Sequence, residues 1–110
     1  MFQFAAMPEI RFERGFAPRS LHDVALRGWP VQMACRQCTH RTTFDPYALW
    51  WLFERRRWND RLGMVPRRFY CSLCGHQEPR LAVVDDPPTD ATLYRPPEAV
   101  WRASVKRRRT

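Results

Sequence analysis

The residues best suited to chemistry in this 110-residue chain are its four cysteines. They stand as two CxxC pairs, "CRQC" (Cys35, Cys38) and "CSLC" (Cys71, Cys74), with thirty-two residues between them. Each pair offers two thiolates at one turn, and two pairs supply the tetrahedral sulfur cage that Zn²⁺ prefers. Four protein ligands leave no open coordination position, so the expected metal is structural, one Zn²⁺ per chain. Three other chemistries fit the same residues less well. A dithiol redox site calls for one CxxC in a thioredoxin-like pattern with a depressed thiol pKa. Iron in a rubredoxin-like cage uses the same ligands. His40 or His76, each two residues past a knuckle, would serve only if a thiol were displaced; with four thiols present they are expected to flank the site, and Gly75 to permit the turn after Cys74.

A chain of this length has little hydrophobic surface to bury, so a metal staple answers a need. Zinc binding of about 10 to 16 kcal/mol in small metal-dependent peptides is comparable to the whole net stability of a domain.

The elements that must position the cysteines are legible around them. "SLHDVALRG" reads as a short helix with Ser20 at the N-cap, Asp23 three residues on and Gly28 at the left-handed C-terminal position. "WPVQMA" enters the first pair as a strand and "HRTTF" leaves it as another. Asp45 followed by Pro46 is a helix start, and the helix is expected to run to about Trp58. "VPRRFY" is expected to be a strand delivering the chain to the second pair, and "QEPRLAVVD" a strand leaving it, ended by "DDPP". The expected fold is thus small α+β: a zinc ribbon of short antiparallel strands, one helix between the knuckles, a short helix before them, and irregular N- and C-terminal arms. The divisions are an arm at 1–19, with at most a short strand around Ile10 to Phe12, a Cys₄ domain at 20–86, and a Pro-rich, then basic, tail at 87–110. The tail is expected to be extended or ordered only on binding, with a helix beginning at Pro97 as the alternative.

"VQMACRQCTHRTTFDPYALWWLF" followed by "VPRRFYCSLCGHQEPRLAVV" resembles the small Cys₄ zinc-ribbon proteins of alphaproteobacteria over about residues 20 to 84. The resemblance rests on the leading helix, the first knuckle followed by His, the Asp-Pro helix start and the second knuckle followed by Gly. It implies a zinc-ribbon core with Cys35, Cys38, Cys71 and Cys74 as metal ligands, and it lends a fold and a metal more than a function. Relatives of this kind tend to carry alanines where this chain has Tyr47, Trp50 and Trp51.

That difference matters because the central helix is apolar on two sides. At about 100° per residue, Leu49, Leu52 and Phe53 share one arc, and Tyr47, Trp50, Trp51 and Trp58 gather opposite. The first arc is expected to face the ribbon. The second is either a partner surface or is covered from within the chain, by Phe2, Phe4, Phe12 and Phe16 of the N-terminal arm or by Trp101.

The formal charge of +8 is uneven: residues 35–76 carry +5, 77–100 carry −3, and 101–110 carry +5. Eighteen of the nineteen basic residues are arginine, which suits bidentate phosphate recognition and is equally the product of GC-rich coding. No GxSxG, HExxH or phosphate-cradling Gly-rich loop is present, so an enzyme is not expected and no small-molecule substrate is implied. The N-terminus lacks signal-peptide character and no stretch approaches a membrane span, so a cytoplasmic protein without membrane association is expected. The leading functional expectation is nucleic-acid binding, possibly to single strands or RNA, or work beside nucleic acid in a larger complex. Its contacts would be Arg36, Arg41, Arg56, Arg67, Arg68, Lys106, Arg107, Arg108 and Arg109, with aromatic rings to stack on bases. The alternative is a protein-interaction adaptor presenting Tyr47, Trp50, Trp51 and Trp58.

Overall fold

The computed structural model describes residues 17–109. The readings placed on the N-terminal arm, its short strand and its phenylalanine cover, lie outside the described residues up to position 16.

Ser20 caps helix α1 (Leu21–Arg27): its side chain accepts the Asp23 N–H at 3.1 Å, and Gly28 closes the helix at φ 70°. Asp23 answers by accepting the Arg19 N–H at 2.9 Å, one residue earlier than the reciprocal bond of a standard capping box. Strand β1 (Val31–Ala34) is the middle of a three-stranded antiparallel sheet, flanked by β2 (Arg41–Phe44) and β3 (Arg80–Val83). The register sets Val31 beside Phe44 and Val83, and Met33 beside Thr42 and Leu81. Because side chains alternate along a strand, these six share one face, and five of them are buried. The free edge of β2 is sealed by the chain after β3: the Thr43 carbonyl accepts the N–H groups of Thr89 and Asp90, and the Thr43 N–H donates to Thr89 Oγ1.

Helix α2 (Pro46–Arg56) starts as the sequence dictates, with the Asp45 carboxylate accepting the Tyr47 N–H at 3.1 Å and Pro46 in the first turn. It ends at Arg57, a non-glycine residue in the left-handed region at φ 58°. Leu49 and Phe53 are fully buried and Leu52 half-buried, and they join α1 and the sheet in one core with Leu21, Val24, Val31 and Val83.

Two expected elements differ. "VPRRFY" is not a strand: Val65–Arg68 form a single 3₁₀ turn, and the pairing reduces to one bridge between Tyr70 and Gln77. Pro66 has its φ fixed and lacks a donor, which suits the opening of a tight turn and not a ladder. Phe69 then stacks on Phe53 with centroids 6.1 Å apart and also meets Phe44 at 5.7 Å. The C-terminal arm is not irregular throughout: Glu98–Arg109 form helix α3. Arg102 bonds Glu98 at 2.9 Å across one turn, but the tertiary contact outweighs that exposed pair. Trp101 packs edge-on against Trp50 (5.0 Å between centroids) and Tyr47 (5.3 Å), and tilts over His22 (4.9 Å). The Tyr47 and Trp50 part of the aromatic arc is therefore covered by the chain's own last helix, leaving Trp50 1% exposed; Trp58 does not belong to the arc, because α2 ends before it and its ring packs edge-on against Phe53 at 5.2 Å on the opposite side.

The seam between α2 and α3 has a flaw. Ser104 is 1% exposed, and neither its Oγ nor the Trp50 Nε1 finds a hydrogen-bond partner among the described residues. Replacing Ser104 by Ala removes an unsatisfied hydroxyl, so Ser104→Ala should raise stability by about 1 kcal/mol in urea titration. Trp101→Ala should lower it by about 3 kcal/mol, the low end of the range for large core aromatics because Trp101 is only half-buried. A loss below about 1 kcal/mol would mean that α3 does not hold the core.

Candidate metal centre

The two knuckles are built alike. In the first, the Cys35 N–H donates to the His40 carbonyl at 2.9 Å; in the second, the Cys71 N–H donates to the His76 carbonyl at 2.8 Å. Each closes a tight turn whose amides point back at sulfur. Gln37 and Cys38 N–H groups donate to Cys35 Sγ at 3.3 Å, the His40 N–H to Cys38 Sγ at 3.4 Å, and the Leu73 N–H to Cys71 Sγ at 3.4 Å. Gly75 takes φ 81°, and its N–H donates to the Cys71 carbonyl at 2.8 Å, so the turn after Cys74 does need its glycine. A bond from Arg36 Nε to the Glu78 carbonyl at 2.8 Å ties the first knuckle to the segment between the second knuckle and β3.

The sheet brings the turns together. Ala34 pairs with Arg41 and with Arg80, so the first knuckle is the β1–β2 connection and β3 leaves the second knuckle at the same end. Cys35 Sγ lies 3.5 Å from Cys74 Sγ and Cys38 Sγ 3.7 Å from Cys71 Sγ; all four sulfurs lie within 4.8 Å of one another, and all are free thiols. Four sulfurs about 2.3 Å from one central ion would sit about 3.8 Å apart in a tetrahedron. The donor set and its spacing therefore fit a metal ion held by thiolates alone. His40 and His76 are not in the cluster; they contribute backbone carbonyls, and the His40 ring meets the Thr42 hydroxyl at 3.3 Å.

Packing four thiols together splits their acidities. The Cys38 N–H, seconded by that of Gln37, holds the Cys35 thiol down to about 6 against burial. The Cys74 N–H, with that of Leu73, lowers Cys71 in the same way. For Cys38 the His40 N–H acts downward, but burial and the Cys35 and Cys71 sulfurs carry the net shift upward. For Cys74 the His76 N–H is likewise outweighed, by the Cys35 sulfur, burial and the Cys71 sulfur, which push it up to about 12. The four form one coupled system in which each negative charge opposes the next. A cation removes that opposition.

The other sequence-nominated residues are scattered. Arg36, Arg41, Arg56, Arg67, Arg68, Lys106 and Arg107 are exposed. Arg56 and Arg68 both approach the Trp58 ring, at 5.5 and 4.6 Å from its centroid, and Arg107 lies 3.9 Å from Glu54. The backbone of α3 includes Arg108 and Arg109. Tyr47, Trp51 and Trp58 are half-buried, and Trp50 is core, so it presents nothing to a partner. Sequence reasoning missed His22, which is 4% exposed beneath Trp101, and Glu78, which holds φ 54° at the Arg36 bond. The α1 pattern of Leu21, Val24 and Ala25 extends to His22 on one face, a signal that was there to read. Nothing in a sequence singles out a carbonyl.

Comparison with family models, with curated proteins and with solved structures finds no match for the chain. Among the described residues no helix is long and apolar enough to cross a membrane.

The split acidities predict how many protons metal uptake releases. At pH 7 Cys38 and Cys74 are protonated, and both must be ionised to bind. Calorimetric titration with Zn²⁺ in buffers of different ionisation enthalpy should therefore show release of about two protons or more per ion, and affinity should rise with pH. Release of fewer than one would contradict this assignment. Without metal, the depressed Cys35 thiol favours the folded state above its unfolded value of 9.0, and that contribution fades as pH falls through about 6.

Proposed function

We propose that the chain is a non-enzymatic protein of zinc-ribbon type that binds nucleic acid or acts beside it in a larger complex. Its four cysteines would hold one structural Zn²⁺. Tetrahedral all-sulfur ligation is the preference of Zn²⁺, and with all four positions filled by protein the ion supplies folding energy and no open site for chemistry. Thiols kept reduced in this way suit the cytoplasm. The two-knuckle construction and the strand order on either side of it favour the ribbon reading, in keeping with the sequence resemblance.

The observation that carries the nucleic-acid reading is the state of the arginines. Arg55, Arg56, Arg57, Arg67 and Arg68 are all exposed, and none forms an ion pair among the described residues. Exposed guanidinium groups without carboxylate partners are suited to phosphate. The adaptor reading loses Trp50, which α3 covers, and is left with the half-buried Tyr47, Trp51 and Trp58.

Metal analysis of purified protein should give one zinc per chain, and Cys38→Ser or Cys71→Ser should abolish stoichiometric binding. A labelled single-stranded oligonucleotide should bind with an affinity that falls steeply between 50 and 200 mM salt. Recovery of a protein partner after nuclease treatment, with no salt-sensitive binding to any DNA or RNA probe, would sink the nucleic-acid reading.

A further inference from the structure

Helices α2 and α3 lie side by side with the same polarity. Near the start of α3, Trp101 packs on Tyr47 and Trp50 of the first turns of α2; near its end, Arg107 approaches Glu54 in the last turn of α2. Both helices therefore finish at one place. On the other side of α2, where Trp58 packs edge-on against Phe53 at 5.2 Å, the 3₁₀ turn sets the Arg68 guanidinium 4.6 Å from the centroid of the Trp58 ring, which Arg56 approaches at 5.5 Å. Arg55 lies over Trp51 at 5.8 Å. Two elements thus deliver Arg56 and Arg68 around the half-buried Trp58, while Arg55 and Arg107 stay on the side of α2 that faces α3.

Neutralising helix ends does not account for this grouping. Each helix C-terminus carries about half a negative charge, and Glu54 adds one more. Glu54 meets Arg107 on the α3 side, so beside Trp58 the half charge of the α2 end balances a minority of the cations that Arg56, Arg57 and Arg68 supply. Arg57 is a second, independent sign. It closes α2 at φ 58°, where glycine would sit without strain, and a strained non-glycine residue is characteristic of functional positions. A guanidinium that stacks on indole keeps its N–H edge available for two parallel bonds to a phosphate.

We propose that the Trp58 side of the α2 C-terminus is the surface that grips the phosphodiester backbone of a single-stranded nucleic acid. Arg56 and Arg68 contact successive phosphates, Arg57 flanks them, and the part of Trp58 left to solvent offers ring surface to a base. The proposal rests on the nucleic-acid reading above and says where on the molecule that binding occurs.

The test measures fluorescence anisotropy of labelled 20-nucleotide poly-U and poly-dT with the full metal-loaded chain. It compares Arg56→Gln/Arg68→Gln with Arg95→Gln/Arg102→Gln. The second pair removes the same charge at the opposite ends of the two helices, where Arg95 meets Asp45 and Arg102 meets Glu98. The first pair should weaken binding about tenfold or more and reduce the slope of log affinity against log salt by about 1.4, for two single-strand phosphates. The second should change affinity by less than about threefold, and zinc content should stay at one per chain in both. Arg57→Gly should raise the urea midpoint while weakening binding. Equal losses from both pairs, with the unaltered chain still binding, would overturn the surface and leave the nucleic-acid reading standing; no binding by the unaltered chain would end that reading itself. Competition by a 20-residue polyglutamate as effective as by the oligonucleotide would overturn the choice of nucleic acid in favour of an acidic protein.

Discussion

Trp50 has to be kept from water on a helix whose other side already faces the core. Leu49 and Phe53 commit α2 to α1 and the sheet, and so large an indole on the far side needs a second layer. Trp101 supplies it, together with Tyr47 and His22. Much else follows from that contact. It gives α3 a reason to be helical that an isolated basic dodecamer lacks, it fixes α3 parallel to α2, and it thereby sets Arg107 beside Glu54. The loop that leads to α3 also closes the edge of β2 at Thr43 on its way.

The cysteine cluster is organised on separate lines. Its turns are held by local amides, each Cys N–H spanning its knuckle to a histidine carbonyl, and they are joined by strand pairing at Ala34, Arg41 and Arg80. The sulfurs meet because the sheet ends there. Four adjacent thiols cannot all ionise in the absence of a cation: the Cys38 and Gln37 N–H groups hold Cys35 down, and neighbouring sulfurs and burial push Cys74 up against the His76 N–H. A bound ion would relieve this frustration and lock both knuckles with it. The aromatic seam and the cysteine cluster thus organise different parts of a chain too small to rely on one core.

The arginines divide by what they touch. Arg36 serves the knuckles through the Glu78 carbonyl, and Arg95 and Arg102 meet carboxylates. Arg55, Arg56 and Arg68 rest on indole rings and keep their charge at the surface. Positive charge that the sequence concentrates in residues 35–76 and 101–110 becomes in the fold a distinction between arginines in use and arginines on offer.

The sequence by itself determined whatever depends on near neighbours. Ser20 and Asp23, Gly28, Asp45 with Pro46, and Gly75 each act within a few residues, and each does in the structure what its chemistry requires. The cysteine spacing likewise announced the cluster, because few uses other than a metal call for two CxxC turns. Only the tertiary structure decided which side of α2 is dry, since a helical wheel shows two apolar arcs and says nothing of what covers them. It also decided that Val65–Arg68 turn where β-branched and aromatic neighbours suggested a strand, with Pro66 unable to donate to a ladder and Phe69 set against Phe53 and Phe44. The last helix is the plainest case: a segment with two Pro-Pro pairs and a basic end is marginal alone, and Trp101 finding Trp50 more than fifty residues earlier in the chain is a long-range event that no local pattern encodes.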